Sequence, residues 1–274
     1  GQTRIFIPSR VYDNPTLMEN DPDYVNTLKG LPEELREAWL EGSWDVFSGQ
    51  YFNKWRYEKH VVKPFKIPSD WHRYRCIDYG YSAPFACLWI AVDYDGDAYV
   101  YREHYEKQKP LSHHIEKIKE LSGDEKYQNS LADPAMWIRN PQNTNNWSNA
   151  LPTHMSIADI MLFNGVPVNR ANNDRISGWN LLREYLEWND EDKPEPRIKF
   201  FSNCENLIRT LPMLVHSEKK PEDVDTTQED HAPDALRYGL MYIGSPNKDS
   251  VKPYLQRELE KLLAMESNID GVRN

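Results

Sequence analysis

Three carboxylates and one histidine stand where the chain could do chemistry: Asp78 in RCIDYGYS, Asp133 in SLADPAMW, and His231 with Asp234 in EDHAPDALRYGL. Each has a plain structural explanation when taken singly. Asp78 precedes a turn at Gly80 and would serve as a strand-terminating residue. Helix starts attract acids, so Asp230 fits an N-cap, Pro233 the first turn, and Asp234 the positive end of the helix dipole. The set carries more than its members. Asp78 and Asp133 each end a short apolar run at the rim of a sheet, Pro134 stopping the second run, and Asp234 opens a helix. Carboxylates brought together from separate elements are the donors that Mg2+ or Mn2+ requires, and a pair of such ions can activate water and stabilise the leaving oxygen of a phosphodiester. His231, three residues before Asp234, shares its helix face and could orient a carboxylate, approach a metal or assist a proton transfer.

The elements that must position these groups follow from periodicity. HRYRCIDYG, PFACLWIAVDY and DAYVYREHY predict three consecutive antiparallel strands, the last two joined by the turn signal Asp95-Gly96. LSHHIEKIKELSG predicts a helix with Leu111, Ile115, Ile118 and Leu121 on one stripe and Gly123 as its stop. SLADPA is a short strand, and PQNTNNWSN a solvated loop. Then come a helix at MSIADIMLFNG, a strand at VPVNRA, a helix at DRISGWNLLREYLEW, a strand at RIKFFS and a helix at NCENLIRTLPMLV, its end blurred by Pro212. The class is α/β, a mixed sheet flanked by helices. Before it, LPEELREAWLEG predicts one docking helix; after Pro246, a charged linker leads to an amphipathic helix with Leu255, Leu259, Leu262 and Leu263 on a stripe that packs either on the domain surface, the more usual use of such a stripe, or on a partner.

Composition narrows the class further. With 274 residues, 39% of them hydrophobic, the chain can bury a sizeable core. Cys76, Cys87 and Cys204 are too far apart for a CxxC knuckle and odd in number, which points to a reducing cytosol. The start GQTRIFIPSR lacks the pattern of a signal peptide and no run approaches a membrane span, so a soluble protein is expected. Opening on Gly and a strand-like RIFI, the sequence reads as a piece of something longer. A net charge of -10 repels phosphate at long range, so any affinity for DNA must be local or borrowed. The nine Trp and sixteen Tyr are interleaved with apolar residues as core aromatics are.

The strand order and the ordered set VYDNPTL, AWLEGSWDVFSGQYF, RCIDYGYSAPFACLWI, LADPA, DRISGWNLL and DHAPDALRYGL resemble the RNase H-like (RuvC-type) nuclease domain of tailed-bacteriophage large terminase subunits, over roughly residues 5 to 245. The resemblance implies that Asp78, Asp133 and Asp234 are catalytic metal ligands for two divalent cations, Mg2+ or Mn2+. His231 matches a histidine found in some members only, and Asp230 and Glu229 match nothing firm. It implies residues 1–60 as a junction from an ATPase motor, 61–245 as the nuclease, and 246–274 as linker and helix. No GxxxxGK[ST] occurs, so the motor core is absent. Basic residues around the cleft, Lys107, Lys109, Arg170, Arg175, Lys219 and Lys220, are candidates for gripping double-stranded DNA. Partners would be DNA, the motor, the small subunit and the portal ring, with no membrane, in the cytoplasm of an infected bacterium. The activity implied is cleavage of concatemeric viral DNA during packaging. Other readings remain: a resolvase or transposase-like nuclease, a non-catalytic module between motor and portal, and a glycoside hydrolase working with two carboxylates and no metal.

Overall fold

The computed structural model describes residues 49–138, 155–189, 191–192 and 194–244, with Pro15 and Val25. The helix expected at LPEELREAWLEG, the loop PQNTNNWSN and the helix after residue 246 lie outside the described residues.

In chain order the elements are α1 (Tyr57–His60), β1 (Val61–Val62), β2 (His72–Asp78), β3 (Phe85–Val92), β4 (Ala98–Glu106), α2 (Leu111–Ser122), β5 (Asn129–Ala132), α3 (Ile157–Phe163), β6 (Asn169–Arg170), α4 (Arg175–Leu186), β7 (Ile198–Phe201), α5 (Glu205–Thr210) and α6 (His231–Ile243). Short 3-10 turns occupy Pro134–Trp137 and Leu211–Met213. The seven strands form one mixed sheet in the order β1-β7-β4-β3-β2-β5-β6. The antiparallel trio β2, β3, β4 lies at its centre, and β5 joins β2 in parallel. β3 is buried along nearly its whole length, as its unbroken FACLWIAV requires of a central strand covered on both faces.

The last helix fixes the site. α6 is buried almost all round, the pattern of a helix enclosed by other elements, and it packs on β2, β3 and α4. Its approach to the sheet depends on Gly239, where a Cβ would collide with Cys76 Sγ and come within 2.7 Å of Ile90 Cδ1. Close seating of this helix carries its first turn to the end of β2.

Several local expectations are adjusted. The helix at NCENLIRTLPMLV is shorter than predicted: α5 ends at Thr210 and a 3-10 turn follows, because Pro212 has no N–H for an α-helical bond. The strand at VPVNRA shrinks to Asn169–Arg170, the part that finds a partner in β5. Tyr51, Phe52 and Trp55 are buried in the same core as the sheet, and β1 adds an edge to β7. These residues show no strand or helix period; tertiary pairing creates the edge.

Candidate active site

Parallel register brings the first two acids together. β2 and β5 run side by side with Ile77 opposite Ala132, so the next residue on each, Asp78 and Asp133, leaves the sheet at the same end. The Asp133 N–H donates to the Ile77 carbonyl at 3.1 Å, fixing the exit. Pro134 then turns the chain, and the Asp133 carboxylate caps that turn by accepting from the Ala135 N–H at 2.9 Å. From above, α6 delivers His231 and Asp234. His231 Nδ1–H donates to Asp78 Oδ2 at 2.7 Å. Asp78, Asp133, Asp230, His231 and Asp234 line one open cavity of about 340 Å³, with Tyr79, Tyr238, Arg175 and Arg237.

The electrostatics are those of surplus negative charge. Burial raises the Asp78 carboxyl above its ordinary range, Asp234 and Asp133 add to the rise, and the hydrogen bond from His231 opposes it. Asp230 is pushed up to about 6, first by burial and then by Asp234, against the pull of Arg175. His231 is raised chiefly by its hydrogen bond to Asp78, so its charged form is favoured beside the acids.

Two arginines answer this charge. Arg237 Nε donates to Asp234 Oδ1 at 2.8 Å and its guanidinium also reaches the Asp174 carbonyl at 3.2 Å. Arg175 bonds Asp234 Oδ2 at 3.1 Å and Asp223 Oδ1 at 3.1 Å, with Asp230 Oδ2 at 3.6 Å. Sequence reasoning missed Arg237 and Asp223. Asp234 and Arg237 are three apart on one helix face, a readable spacing that the apolar look of ALRYGL obscures. Asp223 lies eight residues before His231, the first residue of α6, in an irregular loop and carried no signal.

Other expectations land differently. Asp230 occupies the position before α6, yet its side chain makes no capping hydrogen bond and lines the cavity instead. Lys107, Lys109, Lys219 and Lys220 are exposed, and Arg170 is exposed with its guanidinium over the Trp137 ring at 5.2 Å. Arg175 is no free surface cation; it sits among the acids. Glu229 takes both guanidinium nitrogens of Arg209 at 2.8 Å and the Tyr105 hydroxyl at 2.7 Å, tying down the loop that leads into α6.

The donor set suits a hard divalent cation: four carboxylates and an imidazole face one open cavity, and their raised acids would be relieved by positive charge. Among the described residues no three His, Cys, Asp or Glu side chains converge so as to hold one metal ion between them. Mg2+ does not require such convergence, since it keeps several waters and takes one or two carboxylates directly.

No protein-family model matches the chain, and no curated protein matches it. Solved structures do. The large terminase of a thermophilic bacteriophage, in complex with ATP-gamma-S, superposes with a TM-score of 0.55 at 19% identity over 84% of this chain and 54% of that one. The nuclease domain of the P22 large terminase gives a TM-score of 0.54 at 18% identity, over 71% of this chain and 92% of that domain. This chain thus spans about half the length of the former. Among the described residues no helix is long and apolar enough to cross a membrane. The chain has the RNase H-like fold of phage large terminases, and the match covers nearly all of a nuclease domain of that kind.

Proposed function

We propose that the chain is the nuclease part of a phage large terminase, a Mg2+- or Mn2+-dependent endonuclease that cuts concatemeric double-stranded viral DNA during packaging in the infected cell. The observation that carries this reading is the meeting of Asp78 and Asp133, at the ends of two parallel strands, with Asp234 from α6 in one open, charge-surplus cavity. Asp78, Asp133 and Asp234 would hold two cations, whose chemistry when bound is activation of water and stabilisation of a leaving oxygen. His231 holds Asp78 in one orientation through its Nδ1–H, leaving its other ring nitrogen available to move a proton. Arg237, locked on Asp234, sets the direction in which that carboxylate is presented. Arg170, Lys107, Lys109, Lys219 and Lys220, all exposed, would meet the DNA backbone. The acidic total fits an enzyme held on DNA by its ATPase motor, with small subunit and portal completing the assembly.

A non-catalytic structural role is the competing reading, favoured by one observation: both Asp234 oxygens already carry arginine partners. Incubation of supercoiled plasmid with the chain in Mn2+, with and without EDTA, separates the two. Nicking abolished by chelation supports the nuclease; an intact plasmid at millimolar Mn2+ supports the structural role.

A further inference from the structure

Arg175 and Arg237 hold the same carboxylate in different ways. Arg237 is anchored on every side: its side chain is 2% exposed, its guanidinium bonds Asp234 and the Asp174 carbonyl, and it lies over Trp179 and Tyr238 at 5.0 and 4.6 Å. Its stem fills the space above Gly178, where a Cβ would stand 2.5 Å from Arg237 Cγ. Arg175 is the first residue of α4, where the helix dipole disfavours a cation. Its side chain is 26% exposed. Its Nη2 is buried without a hydrogen bond and stands 3.6 Å from Asp230 Oδ2. Hydrogen bonds to Asp223 and Asp234 and the Trp179 ring at 5.3 Å hold it, and its bonding pattern is left incomplete at Nη2.

We infer that Arg175 is the resident cation of the site: its guanidinium occupies the place of positive charge between Asp230 and Asp234, and a divalent cation entering the cavity must displace it. Asp223 makes the exchange possible. It accepts from Arg175 Nε at 3.1 Å on Oδ1, and the same oxygen is held by the Trp179 indole N–H at 3.0 Å and the Val224 N–H at 2.8 Å. Released from Asp234 Oδ2, the side chain keeps an anchored partner outside the acid cluster. Arg237 stays, so Asp234 keeps its direction while one oxygen is freed. The acids are held together before metal arrives, and metal affinity is tempered by the competitor.

This inference rests on the metal-dependent reading above, and its test separates the two. Mn2+ binding is measured by titration calorimetry on the chain and on Arg175→Gln. Removing the competitor should tighten Mn2+ binding about tenfold, within the usual range of coupling between two ligands of one site. The metal-free variant should melt below the wild type, with the gap closing at saturating Mn2+. Binding by wild type with equal or weaker binding by Arg175→Gln overturns the resident-cation role and leaves the metal reading intact. No binding by either overturns both. Should Arg175→Gln fail to fold, nitrogen-15 spectra of the arginine Nε–H groups in the wild type decide: Mg2+ should shift the Arg175 signal, identified with Arg175→Lys, and leave that of Arg237 in place. A stationary Arg175 signal with bound Mg2+ overturns the inference.

Discussion

Two regions of this molecule set buried or half-buried carboxylates beside arginines, and they differ in how completely the charge is answered. Just after α2, Glu125 accepts from Arg102 through two nitrogens at 3.0 Å, from the Tyr101 hydroxyl at 2.8 Å and from the Tyr127 hydroxyl at 2.6 Å. Burial opposes its charge, but these donors prevail and its carboxyl lies below the ordinary value. One acid is closed by three side chains. At the cavity four acids share two arginines and a histidine, and Asp78 and Asp230 titrate above their ordinary range. A saturated network of this kind holds structure together; an unsaturated one is disposed toward a ligand.

The largest expected effect breaks the comparison at its open end. Asp78→Asn should slow plasmid nicking in Mn2+ by more than about 100-fold, beyond what loss of an outer partner costs. Its metal-free melting temperature should not fall, since one member of a self-repelling cluster becomes neutral. A clear drop in stability would mean that Asp78 belongs to a closed network after all. His231→Ala, which removes an orienting hydrogen bond, should slow nicking about 10- to 100-fold. A rate equal to wild type would remove His231 from the site.

The closed network should respond in the opposite sense. Glu125→Gln should lower stability by about 2 kcal/mol in urea unfolding, a broken buried pair discounted for its part exposure. Nicking should be unchanged. A stability loss below about 0.5 kcal/mol would mean that the donors around Glu125 find water equally well.

The smallest effect is in pH dependence. Asp230 has a folded value near 6 against an ordinary 3.8, so the folded state binds its proton more tightly. The sign follows: its charge opposes folding at pH 7, and the opposition is relieved as pH falls through about 6 toward 3.8. Asp230→Asn should therefore gain on the order of 1 kcal/mol at pH 7, with the gain vanishing near pH 4. Unfolding curves of variant and wild type across that window check it; a constant difference would exclude a titrating Asp230. Burial depresses His60, His104 and His114, the last to about 4, so the unfolded chain takes up their protons first. That contribution is present above pH 6.5 and is lost from both proteins as pH falls toward 4, so it cancels in the difference.

Much of this was legible in the sequence. Strands β2, β3 and β4, helices α2, α4 and α6, and the turn at Asp95-Gly96 follow from period and punctuation. The three acids were visible because each ends or begins an apolar run. The counter-charges were not. Arg175 reads as a surface cation at a helix start, and only the fold of the 217–230 loop, with Asp223 in it, turns it inward. Asp230 reads as a cap because its residue type and place suit one, whereas it lines the cavity, where burial first and then Asp234 raise its carboxyl. β1 is a product of pairing with β7 and has no local signature.

The central claim is that the surplus acids at the ends of β2 and β5 are there for metal-assisted cutting of DNA. Side-by-side nicking of supercoiled plasmid by wild type and Asp78→Asn, at the same protein concentration and saturating Mn2+, tests it most directly. Nicked circles from the wild type and intact plasmid from the variant are predicted; equal nicking by the two, with both folded, would contradict the account.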